Sequence, residues 1–256
     1  MTPAAHERLQ IRLPLAAAAA ASWAAMAALS EQRTLAVFCS TDIWSTLSLD
    51  RLAVAMTFYS PERLVGEWML MVAAMMMPML AGAVGHVRAR TLPNRRPRSL
   101  ALFMVGYAAI WIACGLPIVL AALALQLMQS GPIVTVALVG SVILVWQFSP
   151  GKQFCLNHCH DLPPLAARGL RADLAALRYG ATRGIWCCGT CWALMLIPLT
   201  TQSGHLLAMA ATSAFLIAER LDKPRRPAWE MRWPSTIVRL LWFRLGLWRR
   251  PAPAGG

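Results

Sequence analysis

The sequence predicts an all-α fold: a polytopic membrane helix bundle of about six transmembrane helices with both termini cytoplasmic. Hydrophobic residues make up 58% of the chain and charged residues only 14%, whereas soluble domains average about 25% charged. The apolar residues gather in runs close to the roughly 20 residues that span a bilayer. Of the 24 basic residues, 21 fall in alternate segments on one side and 3 on the other. That asymmetry satisfies the positive-inside rule and predicts a multi-pass inner-membrane protein.

The predicted spans are, in order, Ile11–Leu29, Leu64–Val84, Leu100–Leu125, Pro132–Phe148, Ala181–Leu199 and Gly204–Ala218. The first is Ala-rich and follows Arg8 and Arg12, so a cleaved signal peptide is the alternative there. The fourth and sixth are short and require snorkelling flanks or local bilayer thinning. We expect residues 1–220 to form a single membrane-embedded helical domain, followed by a basic, aromatic cytoplasmic tail over residues 221–256.

The connecting segments carry weaker signals. Thr34–Pro61 mixes charged and apolar residues and is interpreted as a surface connector, with an interfacial helix around Leu47–Phe58 as the alternative. The longest cytoplasmic connection, Ser149–Arg183, opens with Pro-Gly and is broken by Pro163-Pro164. Within it, Ala166–Leu177 has helical spacing. The tail interleaves Arg with Trp, which favours a helix lying at an anionic leaflet.

Sulfur is concentrated in three clusters: Cys155/Cys159, Cys187/Cys188/Cys191, and the methionines from Met69 to Met79. The predicted topology places all three near the cytoplasmic half of the bilayer, so they can meet although they are far apart in sequence. Residues three and four apart share a helix face, and Pro78 removes a backbone hydrogen bond beside the methionines. Thiolates and thioethers together are soft ligands and indicate a thiophilic metal such as Cu(I).

The predicted metal ligands are Cys155, Cys159, Cys187, Cys188, Cys191, Met75, Met76, Met79 and Met195. His158 and His160 flank Cys159, which leaves Zn²⁺ as an alternative metal. Cys39 and Cys114 look isolated in the predicted topology and are interpreted as non-ligands. Glu219 is expected to pair with its neighbour Arg220.

Other function classes find little support. The sequence has no nucleotide fingerprint, no Gly-rich phosphate loop, no zincin helix and no Ser-His-Asp arrangement that the topology would bring together. The net charge of +13 is explained by basic cytoplasmic loops, so no nucleic-acid partner is expected. We predict no catalytic residues and favour a binding protein over an enzyme.

Three blocks resemble a bacterial family of metal-binding integral membrane proteins, some of which are labelled copper chaperones. They are "WMLMVAAMMMPM" from Trp68, "QFSPGKQFCLNHC" from Gln147, and the segment Gly184–Arg220 with "GIWCCGTCWALM" and a closing "AER". The similarity covers roughly residues 64–220. It departs where the family has a Gly-Met pair and this chain has Ser-Gly-His around His205. The resemblance implies a bacterial inner-membrane location and a sulfur-based metal site.

Three functions are compatible with these residues. The first is binding of Cu(I) for delivery or transport, with a copper enzyme or a metal-carrier protein as partner. The second is a membrane thiol-disulfide redox protein that uses the same cysteines. The third is a structural zinc site in a membrane subunit. The sequence leaves the oligomeric state and the direction of metal movement open.

Overall fold

The computed structural model describes residues 3–31, 61–127, 132–201, 204–230 and 235–244. Every regular element in these ranges is helical. The α-helices are α1 Pro3–Glu31, α2 Pro61–Met76, α3 Ala81–Arg90, α4 Arg96–Leu127, α5 Pro132–Phe148, α6 Pro150–His158, α7 Gly169–Thr200, α8 His205–Arg220 and α9 Ser235–Arg244. Cys39 lies outside the described residues, and so does the segment Leu47–Phe58, for which an interfacial helix is the alternative to a surface connector.

Pro78 interrupts the second predicted span, as expected from the sequence. The α-helical hydrogen-bond ladder gives way to a 3-10 turn over Met77–Leu80 between α2 and α3. Proline cannot donate the hydrogen bond that would continue the helix, and short 3-10 stretches commonly mark such breaks. The chain nevertheless continues in one direction, so residues 65–90 remain a single apolar segment.

Glycines allow α4 and α7 to pack closely over the longest interface of the bundle. A Cβ atom on Gly180 would overlap the backbone carbonyl of Phe103, and one on Gly184 would lie 2.8 Å from Cβ of Ile110. Phe103 thus faces Gly180 while Ile110 faces Gly184, which shows that the two helices run parallel. Small residues four apart are typical of close helix contacts in membranes.

The other long helices alternate in direction around this pair. Trp23 on α1 donates a 3.1 Å hydrogen bond to the carbonyl of Ala74, while Ile11 lies 3.6 Å from a Cβ built on Gly85. α1 therefore runs antiparallel to α2 and α3. Similarly, His205 at the start of α8 contacts the carbonyl of Pro198 near the end of α7. The short connection between α7 and α8 makes these two helices fold back on one another.

In the part of the chain that the structure describes, three segments are long and apolar enough to cross a membrane: Arg8–Leu29, Val65–Arg90 and Pro93–Val119. A fourth arises if Ile133–Phe148 and Pro150–His158, which meet at a bend of 61°, form one broken span. The last two predicted spans form parts of α7 and α8, which are not among these segments. At 1.5 Å per residue, the 16 residues of α8 fall short of the ~30 Å hydrocarbon core.

The loop before α7 differs from its prediction. The sequence suggested a separate helix over Ala166–Leu177 and a new span from Ala181, but α7 is one continuous helix of 32 residues. The reason is that Arg178–Arg183 contains no helix breaker besides Gly180, which is tolerated there because α4 packs against it. Upstream, Ser149 caps α6 by accepting a 3.1 Å hydrogen bond from the Lys152 amide. This cap fixes the cysteine-bearing helix α6 at the end of α5.

Candidate metal centre

Cys187 lies where four helices meet. Its side chain on α7 is completely buried, and its sulfur is 3.8 Å from the thioether sulfur of Met76 on α2. Tyr107 on α4 donates a hydrogen bond to the same sulfur at 3.2 Å. Arg220, the last residue of α8, donates another at 2.9 Å. One thiol therefore joins a thioether, a phenol and a guanidinium from three other helices.

Local sequence explains how these groups converge. The 3-10 turn that Pro78 imposes begins one residue after Met76. Gly184 lies one turn before Cys187 and allows α4 to come close, with the carbonyl of Tyr107 3.2 Å from a Cβ built on this glycine. Arg220 reaches Cys187 because α8 folds back along α7. Helix breaks and small residues thus bring distant sulfur and cation together.

The three cysteines of α7 point to different neighbours. The Cys191 thiol donates to the backbone carbonyl of Cys187 at 2.8 Å, a contact that residues four apart on a helix can make. Cys188 lies close enough to Cys114 on α4 for the two thiols to interact. Cys114 is therefore not isolated, contrary to the sequence-based interpretation. Because α4 and α7 run parallel, the two thiols lie at the same level of the bundle.

Cys155 and Cys159 lie beside the cysteines of α7. A Cβ on Gly189 would be only 2.6 Å from the sulfur of Cys155, so this glycine makes room for the α6 thiol against α7. Cys159, at the C-cap of α6, is 2% exposed. It lies near Cys187 and close enough to Arg183 and Arg220 to interact with their charges.

The methionines surround this centre to different extents. Met76 makes the sulfur contact with Cys187. Met75 and Met195 are fully buried in the core, and Met79 is half-buried against it. Within the described residues, no three His, Cys, Asp or Glu side chains are grouped to hold a metal ion together. The described contacts centre instead on one thiol, one thioether and the hydrogen-bond donors around them.

Charge at the centre is supplied by Arg220. A cation next to a cysteine sulfur stabilises the thiolate, which is the form that binds metals. The guanidinium also has a buried nitrogen, Nη1, with no hydrogen-bond partner among the described residues. Arg presents several N–H groups in a fixed fork, so this second nitrogen can donate a hydrogen bond to another anionic sulfur while the first contacts Cys187.

Glu219 forms an ion pair with Lys152 on α6, a partner that the sequence did not predict. Both oxygens of its carboxylate lie 2.7 Å from Nζ of Lys152, and each side chain is 3% exposed. Gln147 donates a short hydrogen bond to the same carboxylate. Residues 219 and 220 point to different sides of α8, so the ion pair ties α6 to α8 while the arginine remains available to Cys187.

Sequence reasoning missed three contributors to the site: Tyr107, Arg220 and Cys114. Arg220 carried a signal, since it ends an apolar helix at the predicted depth of the sulfur clusters. Tyr107 and Cys114 lie seven residues apart and so share a face of α4. That this face meets the cysteines of α7 follows only from the parallel packing of α4 and α7, which the periodicity of a single helix cannot show.

The site chemistry and the fold together place the chain among helical proteins with a buried, mixed thiol and thioether centre. A family model described as PpoB2, copper chaperone, matches residues 65–242. The match covers more than half of the chain, and the protein belongs to this copper chaperone family. No curated protein and no solved structure matches the chain.

The donor set suits the metal that the family name implies. A thiol and a thioether are both soft ligands, which select Cu(I) over harder ions. With metal–sulfur bonds of about 2.3 Å, the length that thiolates make to zinc, sulfurs 3.8 Å apart would subtend roughly 110° at an ion between them. Met76 and Cys187 are therefore spaced to share one ion with little movement.

Proposed function

We propose that this protein is a multi-pass inner-membrane copper chaperone that holds Cu(I) as cargo between Cys187 and Met76. The 3.8 Å contact between their sulfur atoms is the observation that carries the proposal. Cys155, Cys159, Cys188 and Cys191 would supply further thiolates as the ion enters and leaves, and Met75, Met79 and Met195 would line its surroundings. The partner would be a copper enzyme under assembly or a metal-carrier protein.

The arrangement supports transfer rather than permanent storage. One thiolate and one thioether hold a univalent ion less firmly than a closed cage of thiolates, because a thioether brings no charge to the bond. The neighbouring cysteines lie within one turn on α7, and α6 adds two more. An ion can then move by replacing one sulfur ligand with the next, without ever being left in an apolar interior.

The decisive experiment is elemental analysis of detergent-purified protein after anaerobic loading with Cu(I). Wild type should bind copper stoichiometrically, and Cys187→Ser should lose most of it. A variant lacking all five cysteines of the two clusters should bind none. Cys39→Ser is the matched thiol control, because the topology predicts Cys39 on the opposite side. Stoichiometric copper in the variant that lacks the five cysteines would refute the proposal. Zinc instead of copper in the wild-type protein would favour a structural site.

A second candidate, thiol redox chemistry, is favoured by one observation. Cys188 and Cys114 are interacting thiols on neighbouring helices, and an external disulfide could oxidise such a pair to a disulfide by thiol–disulfide exchange, being itself reduced to two thiols. Counting free thiols after mild oxidation of metal-free protein tests this function. A loss of two thiols that Cys114→Ser abolishes would support redox chemistry, and an unchanged count would exclude it.

A further inference from the structure

A pocket beside the centre is lined by further sulfur atoms. It lies between α2 and α4 with a volume of about 280 Å³ and a predominantly apolar wall. Met69, Met76, Met77 and Met104 line it. Met69 and Met104 are not among the ligands predicted from the sequence. Packing explains single methionines readily, but four thioethers around one open cavity form a concentration of soft donor atoms.

Burial increases along this pocket toward Cys187. Val105 on its wall is 58% exposed, and Met69, Met77 and Met104 are half-buried, whereas Met76 is 1% exposed. The pocket therefore opens on the flank of the bundle and ends at Met76. Tyr107 also lines it and donates a hydrogen bond to Cys187. Both residues at the inner end of the pocket thus contact the proposed copper-binding thiol.

We propose that this pocket is an entry site in which thioethers capture Cu(I) and pass it through Met76 to Cys187. The inference rests on the proposed function, because it assumes that Cu(I) is the cargo. Uncharged thioethers bind a soft cation weakly, so the ion leaves them readily, and the anionic thiolate then holds it more tightly. The ion moves from weaker to stronger ligands along a path of increasing burial.

No electron transfer is needed for this step. Copper stays Cu(I) while the bond to a pocket thioether breaks and the bond to the Cys187 sulfur forms. Met76 can remain bound throughout, because its sulfur borders both the pocket and the thiol. A proton still on the Cys187 sulfur leaves to solvent as the ion arrives.

The test is the rate at which metal-free protein takes Cu(I) from its coloured bicinchoninate complex under anaerobic conditions. We expect the double variant Met69→Leu with Met104→Leu to load about tenfold more slowly than wild type, with the same final occupancy; a tenfold change in rate corresponds to about 1.4 kcal/mol of barrier. Met209→Leu, in the core but outside the pocket, is the matched control. Leu replaces Met with little change in volume, so both variants should fold.

The outcomes separate this inference from the proposed function. Loading of the pocket variant at the wild-type rate, while Cys187→Ser abolishes stable binding, would overturn the entry site alone. Copper uptake unchanged in both the pocket variant and Cys187→Ser would overturn the proposed function as well. Slow loading of the pocket variant with full final occupancy would support both.

Discussion

At the scale of single residues, Arg220 sets the chemistry of the centre. Its guanidinium lies 2.9 Å from the sulfur of Cys187, and a charge-assisted hydrogen bond of this kind is roughly twice as strong as a neutral one. The thiolate is the metal-binding form. A thiol that is already ionised need not release a proton when Cu(I) binds. By stabilising the thiolate of Cys187, the arginine therefore keeps the sulfur in its metal-binding form before the ion arrives.

Replacing this arginine should change the number of protons released on metal binding. In Arg220→Gln the Cys187 sulfur loses its cationic partner and is protonated when empty, so we expect Cu(I) loading near pH 7 to release up to about one more proton per ion than in wild type. Proton release can be measured with a pH indicator in weak buffer. Arg220→Lys keeps the charge and should resemble wild type. Equal proton release from Arg220→Gln and the wild-type protein would contradict this role of the arginine.

Asp222 shows how a single carboxylate positions the tail. It is 5% exposed and accepts hydrogen bonds from the backbone amides of Ser235 at 3.2 Å and Thr236 at 2.9 Å, at the start of α9. Burial alone would raise the pKa of Asp222, but the hydrogen bonds from Thr236 and Ser235 outweigh it and hold the pKa below its ordinary value. The carboxylate therefore docks α9 most firmly when it is ionised.

The docking of α9 should depend on pH in a defined direction. Because the pKa of Asp222 is lowered by folding, its contribution is fully present above the ordinary value of about 3.9 and is lost as the pH falls through the lower folded value. Hydrogen exchange at the Thr236 amide, corrected for its intrinsic pH dependence, should show protection at neutral pH that declines in strong acid. Asp222→Ala should remove the protection at every pH. Persistent protection in Asp222→Ala would contradict the assignment.

At the scale of helices, the glycines of α4 and α7 fix the distance on which the centre depends. Gly180→Ala should destabilise the protein by about 1–3 kcal/mol, because the new Cβ would overlap the Phe103 carbonyl and force two helix backbones apart. Thermal unfolding in detergent measures this loss. Gly82→Ala is the matched control: nothing lies within 4 Å of its Cβ position, and alanine favours a helix. A similar melting temperature for both variants would show that the close approach is unimportant.

The same helices show what a single sequence can and cannot predict. Pro78 predicted a helix break, which the structure contains, and the Cys155–Cys159 spacing fits the helical turn that α6 provides. Those features are local, since one proline or one period determines them. The Cys114–Cys188 pair and the Lys152–Glu219 ion pair depend on which helices are neighbours. Such contacts join residues 67 or more positions apart. The helical periodicity of one segment does not specify which other helix that segment packs against.

At the scale of the whole molecule, the helix directions are compatible with the topology that the sequence predicts. The contacts make α1 antiparallel to α2 and α3, α4 parallel to α7, and α8 antiparallel to α7. If each long segment crosses the membrane, this alternation returns the chain to its starting side. The sequence predicts most of the basic residues on that same side. An even number of crossings, with both termini cytoplasmic, therefore stays a prediction that needs its own test.

Topology mapping can test the six crossings and both cytoplasmic termini directly. Reporter domains that are active only in the cytoplasm should be active when fused before residue 1 and after residue 256, and inactive when inserted near residue 130, in the predicted external loop between α4 and α5. The physical reason is the cost of translocating basic segments against the positive-inside preference. Replacing Arg225 and Arg226 with Glu should weaken the cytoplasmic retention of the tail, whereas replacing them with Lys should not. Termini on opposite sides would mean an odd number of crossings and would contradict the six-span topology.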